Sequence, residues 1–591
     1  MYQTFEATTS PQQGPPRLSM LREKLAQTGL NGFLIPRADA WQGEYVAPCD
    51  ERLAWLTGFT GSAGFCAVLA EDAGVFIDGR YRVQIKDQVA DVFTPVHWPE
   101  TGLAEWLAAH APEGARVGFD PWLHTLKEVR ALRAKLKEGG RRLEPCENLV
   151  DQIWEDRPQR PTAAAFAQPL ELAGEASAEK CARLAAGLKD TGCSAAILTL
   201  PDSICWLLNI RGRDIPRNPI LQCFAILHES GQVALFAEPE KLAGVDHGAE
   251  VAPPDAFLAA VGALKGKVRL DPNTCPQAVA DALTAEISEG MDPCLLPKAR
   301  KNEAELAGAR AAHRRDAIAM VEFLAWLDGA KTGQLSEMDV VKALEGHRRA
   351  TNALQDISFE TISGAGPHGA IVHYRVTEET NRALPENGLL LVDSGGQYVD
   401  GTTDITRTIA LGTPPEDARA AFTRVLQGMI ALSRLRFPKG IAGAHIDALA
   451  RAPLWMAGQD YDHGTGHGVG SYLSVHEGPA RISRASDLPL EPGMILSNEP
   501  GYYREGAFGI RIENLIVVEG APPLDGGDAR QMLSFETLTY VPIDLHLIDR
   551  SLLSQAERDW LNAYHKLCAE RVAGQLSERA RGWITGATRA I

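Results

Sequence analysis

The sequence predicts an α/β fold that becomes α+β in its last part, arranged as two tandem, related α/β domains followed by a larger third domain. Three observations carry this reading. Helix-like and strand-like patterns alternate through the first 300 residues, which favours layered α/β packing. A stretch near the start recurs about 160 residues later, as a duplicated unit would. From Phe359 to Val518 the pattern changes to short apolar runs broken by glycine. A chain of 591 residues is also too long for one hydrophobic core.

Residues 1–17 are polar and proline-bearing and are expected to form a disordered extension. They have no apolar h-region, so they do not read as a signal peptide. Domain I spans 18–160. It opens with an amphipathic pattern from Leu18 to Gln27, and Gly29 then precedes the strand-like Gly32-Phe33-Leu34-Ile35. Domain II spans 161–300 and repeats that order, from Leu188 through Gly192 to Ala196-Ile197-Leu198. Each copy goes on to an Asp (Asp39, Asp202) and a Trp-Leu pair (Trp55-Leu56, Trp206-Leu207). Between the copies, the segment from Ile153 to Pro161 has two prolines and dense charge, which suits a linker.

The third domain spans 301–591. Asn302-Glu303-Ala304-Glu305 reads as a capping box, and the helix that it starts should stop at Gly329. Ser336-Glu337-Met338-Asp339 opens another helix, and Ser554-Gln555-Ala556-Glu557 caps a closing one that begins a helical tail. Trp154, Trp206 and Trp455 are most simply core or interface aromatics.

The bulk numbers exclude several functions. The formal net charge is −17, which argues against nucleic acid or an anionic membrane surface as a general partner. No apolar run is long enough to span a membrane. Nine of the ten cysteines precede residue 300, and none forms a C-x-x-C pair. In a chain this long that reads as reduced, buried thiols in a cytoplasmic protein.

Between Gly388 and Glu513 four carboxylates and a histidine arrive in order. Asp393 closes the apolar run Gly388-Leu389-Leu390-Leu391-Val392, and Asp404 lies in Gly401-Thr402-Thr403-Asp404-Ile405-Thr406-Arg407. His467 sits in the glycine-rich His463-Gly464-Thr465-Gly466-His467-Gly468. Glu499 ends a strand-like run before Pro500-Gly501, and Glu513 lies in Gly509-Ile510-Arg511-Ile512-Glu513-Asn514. Singly, an Asp at a strand end is a turn residue and a lone Glu is a solvated charge. Gathered, four carboxylates repel and pay desolvation, so some would have to stay protonated. Two divalent cations balance them, and a bridging carboxylate can hold such ions about 3.5–4 Å apart. Oxygen-rich ligation with one imidazole suits Mn²⁺ first, with Co²⁺, Zn²⁺ and Fe²⁺ as the other candidates. Strand periodicity puts Gly509, Arg511 and Glu513 on one face, so Arg511 should share the site. Val469 stands where a dinucleotide fingerprint needs glycine, and neither Walker A nor H-E-x-x-H occurs.

Taken with Val392-Asp393-Ser394-Gly395, Val475-His476-Glu477-Gly478-Pro479 and Asn498-Glu499-Pro500-Gly501-Tyr502-Tyr503, these motifs resemble the set of aminopeptidase P, the Xaa-Pro aminopeptidase family of pita-bread metallopeptidases. Gly58-Phe59-Thr60-Gly61-Ser62-Ala63-Gly64, Asp78-Gly79-Arg80-Tyr81, Trp154-Glu155-Asp156-Arg157-Pro158 and Asn209-Ile210-Arg211-Gly212 resemble its longer, three-domain form. That likeness implies two tandem creatinase/prolidase N-terminal-like domains before a pita-bread catalytic domain. It also implies that Asp393 ligates one ion, His467 with Glu499 the other, and that Asp404 and Glu513 bridge. His373, His463 and His476 match histidines beside the substrate, Arg80 an N-terminal-domain arginine that reaches the peptide, and Tyr503 and Arg511 outer-site residues. The implied reaction removes the N-terminal residue from peptides with proline second. A dimetal-bridging hydroxide would attack the Xaa-Pro bond, Glu499 would take its proton, and His373 or His476 would stabilise the oxyanion. A homodimer through the C-terminal domain, with Trp455 at the contact, is the expected assembly. The alternatives are a prolidase-like dipeptidase and a non-catalytic pita-bread module that binds peptides or proteins.

Overall fold

The computed structural model describes residues 1–331 and 333–591. Thr8–Leu295 forms one compact unit, and Met1–Ala7 together with Leu296–Ile591 forms another.

In the first unit the strand Gly32–Pro36 lies inside a six-stranded sheet. Phe33 and Ile35 enter one core cluster and Leu34 enters another, as the two-residue period of a strand requires. The first cluster includes Leu18, Leu21 and Leu25 of the helix Gly14–Thr28. The other includes Leu107, Val129 and Leu136 of the helices Leu103–His110 and Leu126–Glu138. Apolar cover on both faces explains why the strand reads as a continuous apolar run. In chain order the six strands are Gly32–Pro36, Phe65–Leu69, Ala73–Ile77, Thr94–His97, Arg116–Phe119 and Arg142–Pro145. Their spatial order is fourth, third, second, first, fifth, sixth.

The duplication visible in the sequence is a duplication of topology. A second sheet uses Ala195–Leu198, Phe224–His228, Val233–Phe236, Glu250–Ala252, Lys267–Leu270 and Glu286–Glu289 in that same spatial order. The pairing directions also repeat. The first strand is antiparallel to the second and parallel to the fifth in both sheets. Trp154, from the expected linker, stacks on Trp55 at 5.3 Å. Arg157 there pairs with Asp50 and Asp151. All ten thiols are free and all but Cys146 are buried.

The second unit carries the glycine-rich region. Its three-stranded sheet Ile362–Ala365, Gly388–Ser394, Ile405–Leu411 is fully antiparallel. A six-stranded sheet runs through Phe437–Pro438, Met532–Thr537, Asn514–Gly520, Ile495–Asn498, Gly466–Gly468 and Glu477–Ile482. The main core cluster packs the strand 388–394 with the helices Glu303–Asp328, Glu416–Ser433 and Gln555–Val572. Capping boxes at Asn302, Ser336 and Ser554 start three of the helices. Each satisfies otherwise orphaned helix-terminal N–H groups. Among the described residues no helix is long and apolar enough to cross a membrane.

Two expectations are corrected. The extension 1–17 is ordered. Phe5 is buried with Val341, Ile362, Tyr374, Val376 and Leu391. The Gln3 amide exchanges hydrogen bonds with Thr361, donating at 3.2 Å and accepting at 2.8 Å. The Tyr2 and Gln3 N–H groups donate to Glu345, and the first helix already starts at Gly14. Polar composition concealed this because these groups find partners more than 340 residues away in the chain. Nor does one strand run from Gly509 to Glu513. Phe508–Arg511 pairs with Gly501–Arg504, and Asn514–Gly520 pairs with Ile495–Asn498. Glu513 stands at the break where the chain changes partner.

Behind the three-stranded sheet, Arg348 is fully buried and makes a bidentate pair with Asp316 at 2.8 and 3.0 Å. The Tyr398 hydroxyl donates to the same carboxylate at 2.7 Å. Arg348→Met leaves that charge buried with the phenol alone. It should lower the stability of this unit by about 3–5 kcal/mol, read as a fall in its urea midpoint. An unchanged midpoint would contradict the packing described.

Candidate metal centre

Strand register gathers the ordered carboxylates. Asp393 lies opposite Thr406 in the three-stranded sheet, so Asp404 enters beside it. In the six-stranded sheet Asn498 lies opposite Asn514, which leaves Glu499 and Glu513 next to one another at the strand ends. Gly468 pairs with Leu496, bringing the His467 strand alongside. A Cβ on Gly466 would fall 2.0 Å from the Ser497 carbonyl oxygen, so only glycine permits that approach. The Glu513 N–H donates to the Thr406 carbonyl at 3.2 Å and joins the two sheets at the site.

His467 Nε2 is 3.5 Å from Asp404 Oδ2 and 3.4 Å from Glu499 Oε1. Its Nδ1 donates to the Gly468 carbonyl at 2.9 Å, which leaves Nε2 as the nitrogen that could ligate an ion. One ligand atom each from Asp404, His467 and Glu513 lies within 4.8 Å of the other two. Ser497 Oγ donates to Glu499 Oε1 at 3.0 Å and accepts from the His467 N–H at 2.9 Å. Thr406 Oγ1 donates to Glu513 Oε2 at 2.8 Å and accepts from Arg511 Nε at 3.1 Å. Arg511 Nη2 donates to Asp393 Oδ2 at 2.6 Å. Arg511 and Glu513 therefore share the site despite the strand break, because one threonine hydroxyl touches both.

The electrostatics are those of an anionic pocket short of cations. Burial pushes Asp393 up to about 6, against the pull of Arg511. Burial and the charges of Asp404, Glu499 and Asp393 push Glu513 well up. Burial also raises Glu499, with His467 and Arg511 opposing. For His467, burial works against the imidazolium, but Asp404 and Glu499 outweigh it and hold the group up to about 9. One oxygen each of Asp393, Asp404 and Glu513 is buried without a hydrogen-bond partner. Leaving such acceptors unsatisfied costs about 1–3 kcal/mol each, more when charged. Three orphaned carboxylate oxygens beside an oriented imidazole fit a pair of oxygen-preferring divalent ions.

The remaining expected residues fall at various places. The His476 ring meets His467 edge-on, centroids 4.3 Å apart. Arg511 Nη1 donates to the Tyr503 hydroxyl at 2.6 Å, and that hydroxyl is 2.8 Å from His463 Nε2. His463 Nδ1 donates to the Gly464 carbonyl at 2.7 Å, so Nε2 accepts from Tyr503. His373 is half-buried on the segment after Val372, whose carbonyl accepts from Arg511 Nη2 at 3.4 Å. Arg80 belongs to the other compact unit. Asp78 grips its guanidinium at 2.7 Å there, and Tyr81 packs beneath it at 5.2 Å.

Sequence reasoning missed buried charged residues that brace the surroundings of the site. Arg407, buried, donates to the Glu513 carbonyl at 2.7 Å, Asn514 at 2.8 Å, Pro542 at 3.0 Å and the Tyr564 hydroxyl at 3.0 Å. Glu337, also buried, accepts from the Ala365 N–H at 2.7 Å and the Tyr374 hydroxyl at 2.9 Å. Its Oε1 lies 2.9 Å from His368 Nδ1. Thr406 and Arg407 stood within a quoted motif, but nothing in it marked the cation as serving the backbone of Glu513.

A family model described as metallopeptidase family M24 matches residues 307–520, and one for the C-terminal region of peptidase M24 matches 531–591. Two models of the creatinase/prolidase N-terminal domain match 17–153 and 156–305. A Talaromyces stipitatus protein named probable Xaa-Pro aminopeptidase P is 39% identical, across 97% of this chain and 92% of its own length. Aminopeptidase P2 of Arabidopsis thaliana is 38% identical, across 97% and 88%. The crystal structure of X-prolyl aminopeptidase from Caenorhabditis elegans superposes with a TM-score of 0.91 at 33% identity, covering 98% of this chain and 99% of that one. That enzyme is described as cytosolic, with a di-nuclear active site.

Without cations Asp393 keeps its proton up to about pH 6 and His467 up to about pH 9. A metal ion has to displace both protons. Its apparent affinity for chelator-treated protein should therefore rise from about pH 5 to about pH 9, with proton release seen by calorimetry in buffers of different ionisation enthalpy. Affinity independent of pH would contradict this account of the pocket.

Proposed function

The chain belongs to the aminopeptidase P family of M24 metallopeptidases with tandem creatinase/prolidase N-terminal domains, and from that premise we propose that it releases the N-terminal residue from peptides with proline second. The observation that carries the proposal is the trio of buried, unpartnered oxygens on Asp393, Asp404 and Glu513 around an oriented His467. Asp393 would hold one ion, His467 and Glu499 the other, with Asp404 and Glu513 shared. Mn²⁺ is the first choice, since the donor set is oxygen-rich with one imidazole. Bound there, such ions would supply Lewis acidity to a water and to the carbonyl before proline.

The other steps belong to side chains of this chain. Glu499, oriented by the Ser497 hydroxyl, accepts the proton of the attacking water. His373 and His476 donate to the carbonyl oxygen as charge builds there. Arg511 fixes Asp393 and, through Tyr503, His463. Arg80, His463, Tyr503 and Arg511 are assigned to peptide binding. The carboxylates attract a free α-amine, which makes the enzyme an exopeptidase. An Xaa-Pro bond has no N–H and a fixed φ at proline, so a peptidase for it has to grip the carbonyl and the amine instead.

Two rivals make different predictions. A dipeptidase would stop at Xaa-Pro itself, and a binding module would need no ligand set at all. The proposal extends to a cytoplasmic homodimer. Free, buried thiols favour the reducing compartment. Leu449, Trp455 and Met456 expose apolar surface at 39%, 43% and 90% on the helix Gly443–Trp455 and its end, which supports a contact in the C-terminal domain.

Asp404→Ala and Glu513→Ala should each abolish both metal retention and cleavage of Xaa-Pro-Xaa tripeptides, measured by elemental analysis beside a peptide assay. Cleavage that persists without bound metal, or that is confined to dipeptides, would overturn the proposal.

A further inference from the structure

Beside the centre lies a buried ion cluster that the reaction above does not use. Glu477 is 3% exposed and follows His476 directly. Lys298 Nζ reaches its Oε1 at 3.0 Å and Lys301 Nζ donates to its Oε2. Both lysine side chains are 1% exposed. They come from the short segment just before the first long helix, Glu303–Asp328.

Three buried charges are costly to hold in a protein interior, and hydrophobic residues of similar volume are often as stable or more so. What the cluster supplies is position. Lys301 hydrogen-bonds Oε2, and Lys298 stands as a counter-charge beside Oε1, which has no hydrogen-bond partner, so both cations hold the carboxylate in place by charge and one also by geometry. The Glu477 backbone pairs with Gly468, next to His467, across a bulge in the sheet. A Cβ on Gly470 would lie 3.1 Å from Glu477 Oε1, so the side chain also packs behind the loop that carries His467. Ser474 Oγ donates to the His476 carbonyl at 3.0 Å, bracing that residue from its other side. The His476 ring then stands edge-on to His467 at 4.3 Å.

We propose that Glu477, clamped by Lys298 and Lys301, is a positioning residue that sets the His476 imidazole against His467 and thereby orients the peptide carbonyl. The orienting part rests on the reading of His476 given above; the placement of the ring does not. Glu477→Gln keeps the shape and removes the charge. The variant should retain both ions by elemental analysis and lose on the order of tenfold to a hundredfold in kcat/KM on Xaa-Pro-Xaa peptides. In a His476→Ala background it should cost nothing further, since the group that it serves is gone. In ¹³C-histidine NMR, the ring signal that His476→Ala removes should shift or broaden in Glu477→Gln. Losses that multiply across the two variants, or a His476 signal that stays put, would overturn the proposal. Should Glu477→Gln fail to fold, Lys301→Met, which leaves Lys298 paired with Glu477, carries the same two readouts. If the wild-type protein cleaves no Xaa-Pro bond, the functional reading fails and the NMR comparison alone decides the placement.

Discussion

Negative charge buried without an equal positive charge governs the catalytic unit. Asp393, Asp404, Glu499 and Glu513 converge with His467, and Arg511 is the guanidinium that reaches them. Protein dipoles cannot neutralise such a cluster, so burial and mutual repulsion raise Asp393 and Glu499 and push Glu513 well above the usual carboxylate range. Two divalent ions remove the conflict, and the unpartnered oxygens mark where they would bind.

Such a site needs rigid supports, because a small displacement of one ligand would break the shared geometry. The supports come from both sheets and from the C-terminal tail. Thr406 offers one hydroxyl to Glu513 and Arg511, and its carbonyl accepts from the Glu513 N–H. Arg407, next in the chain, ties Glu513 and Asn514 to Tyr564 of the closing helix. Its acceptors there are neutral, so this cation adds rigidity without competing for the ligand carboxylates. Glu337 collects Ala365 and Tyr374, and Glu477 collects two lysines. Each of these buried carboxylates sits beside a segment that carries a histidine assigned to the peptide.

The gathering of the five proposed ligands was legible in the sequence because each sits at a strand end or glycine turn inside a recognisable motif. The tandem lobes were legible because a helix-glycine-strand order recurs, and the sheet topology repeats with it. The ordering of residues 1–17 was not, since Gln3 and Phe5 are held by partners from distant segments. The strand break before Glu513 was also hidden. An alternating apolar pattern looks the same whether one sheet or two receive it. Nothing in the sequence marked Lys298 and Lys301, and only the fold buries them against Glu477. Motifs record the groups that touch ions and peptide; the groups that hold those in place are set by contacts far apart in the chain.

The most direct test of the central claim is crystallographic. Crystals grown with Mn²⁺ should show two anomalous peaks about 3.5–4 Å apart, one toward Asp393 and one toward His467 and Glu499, with Asp404 and Glu513 touching both. A single peak, or two that do not share Asp404 and Glu513, would contradict the account of how this pocket balances its charge.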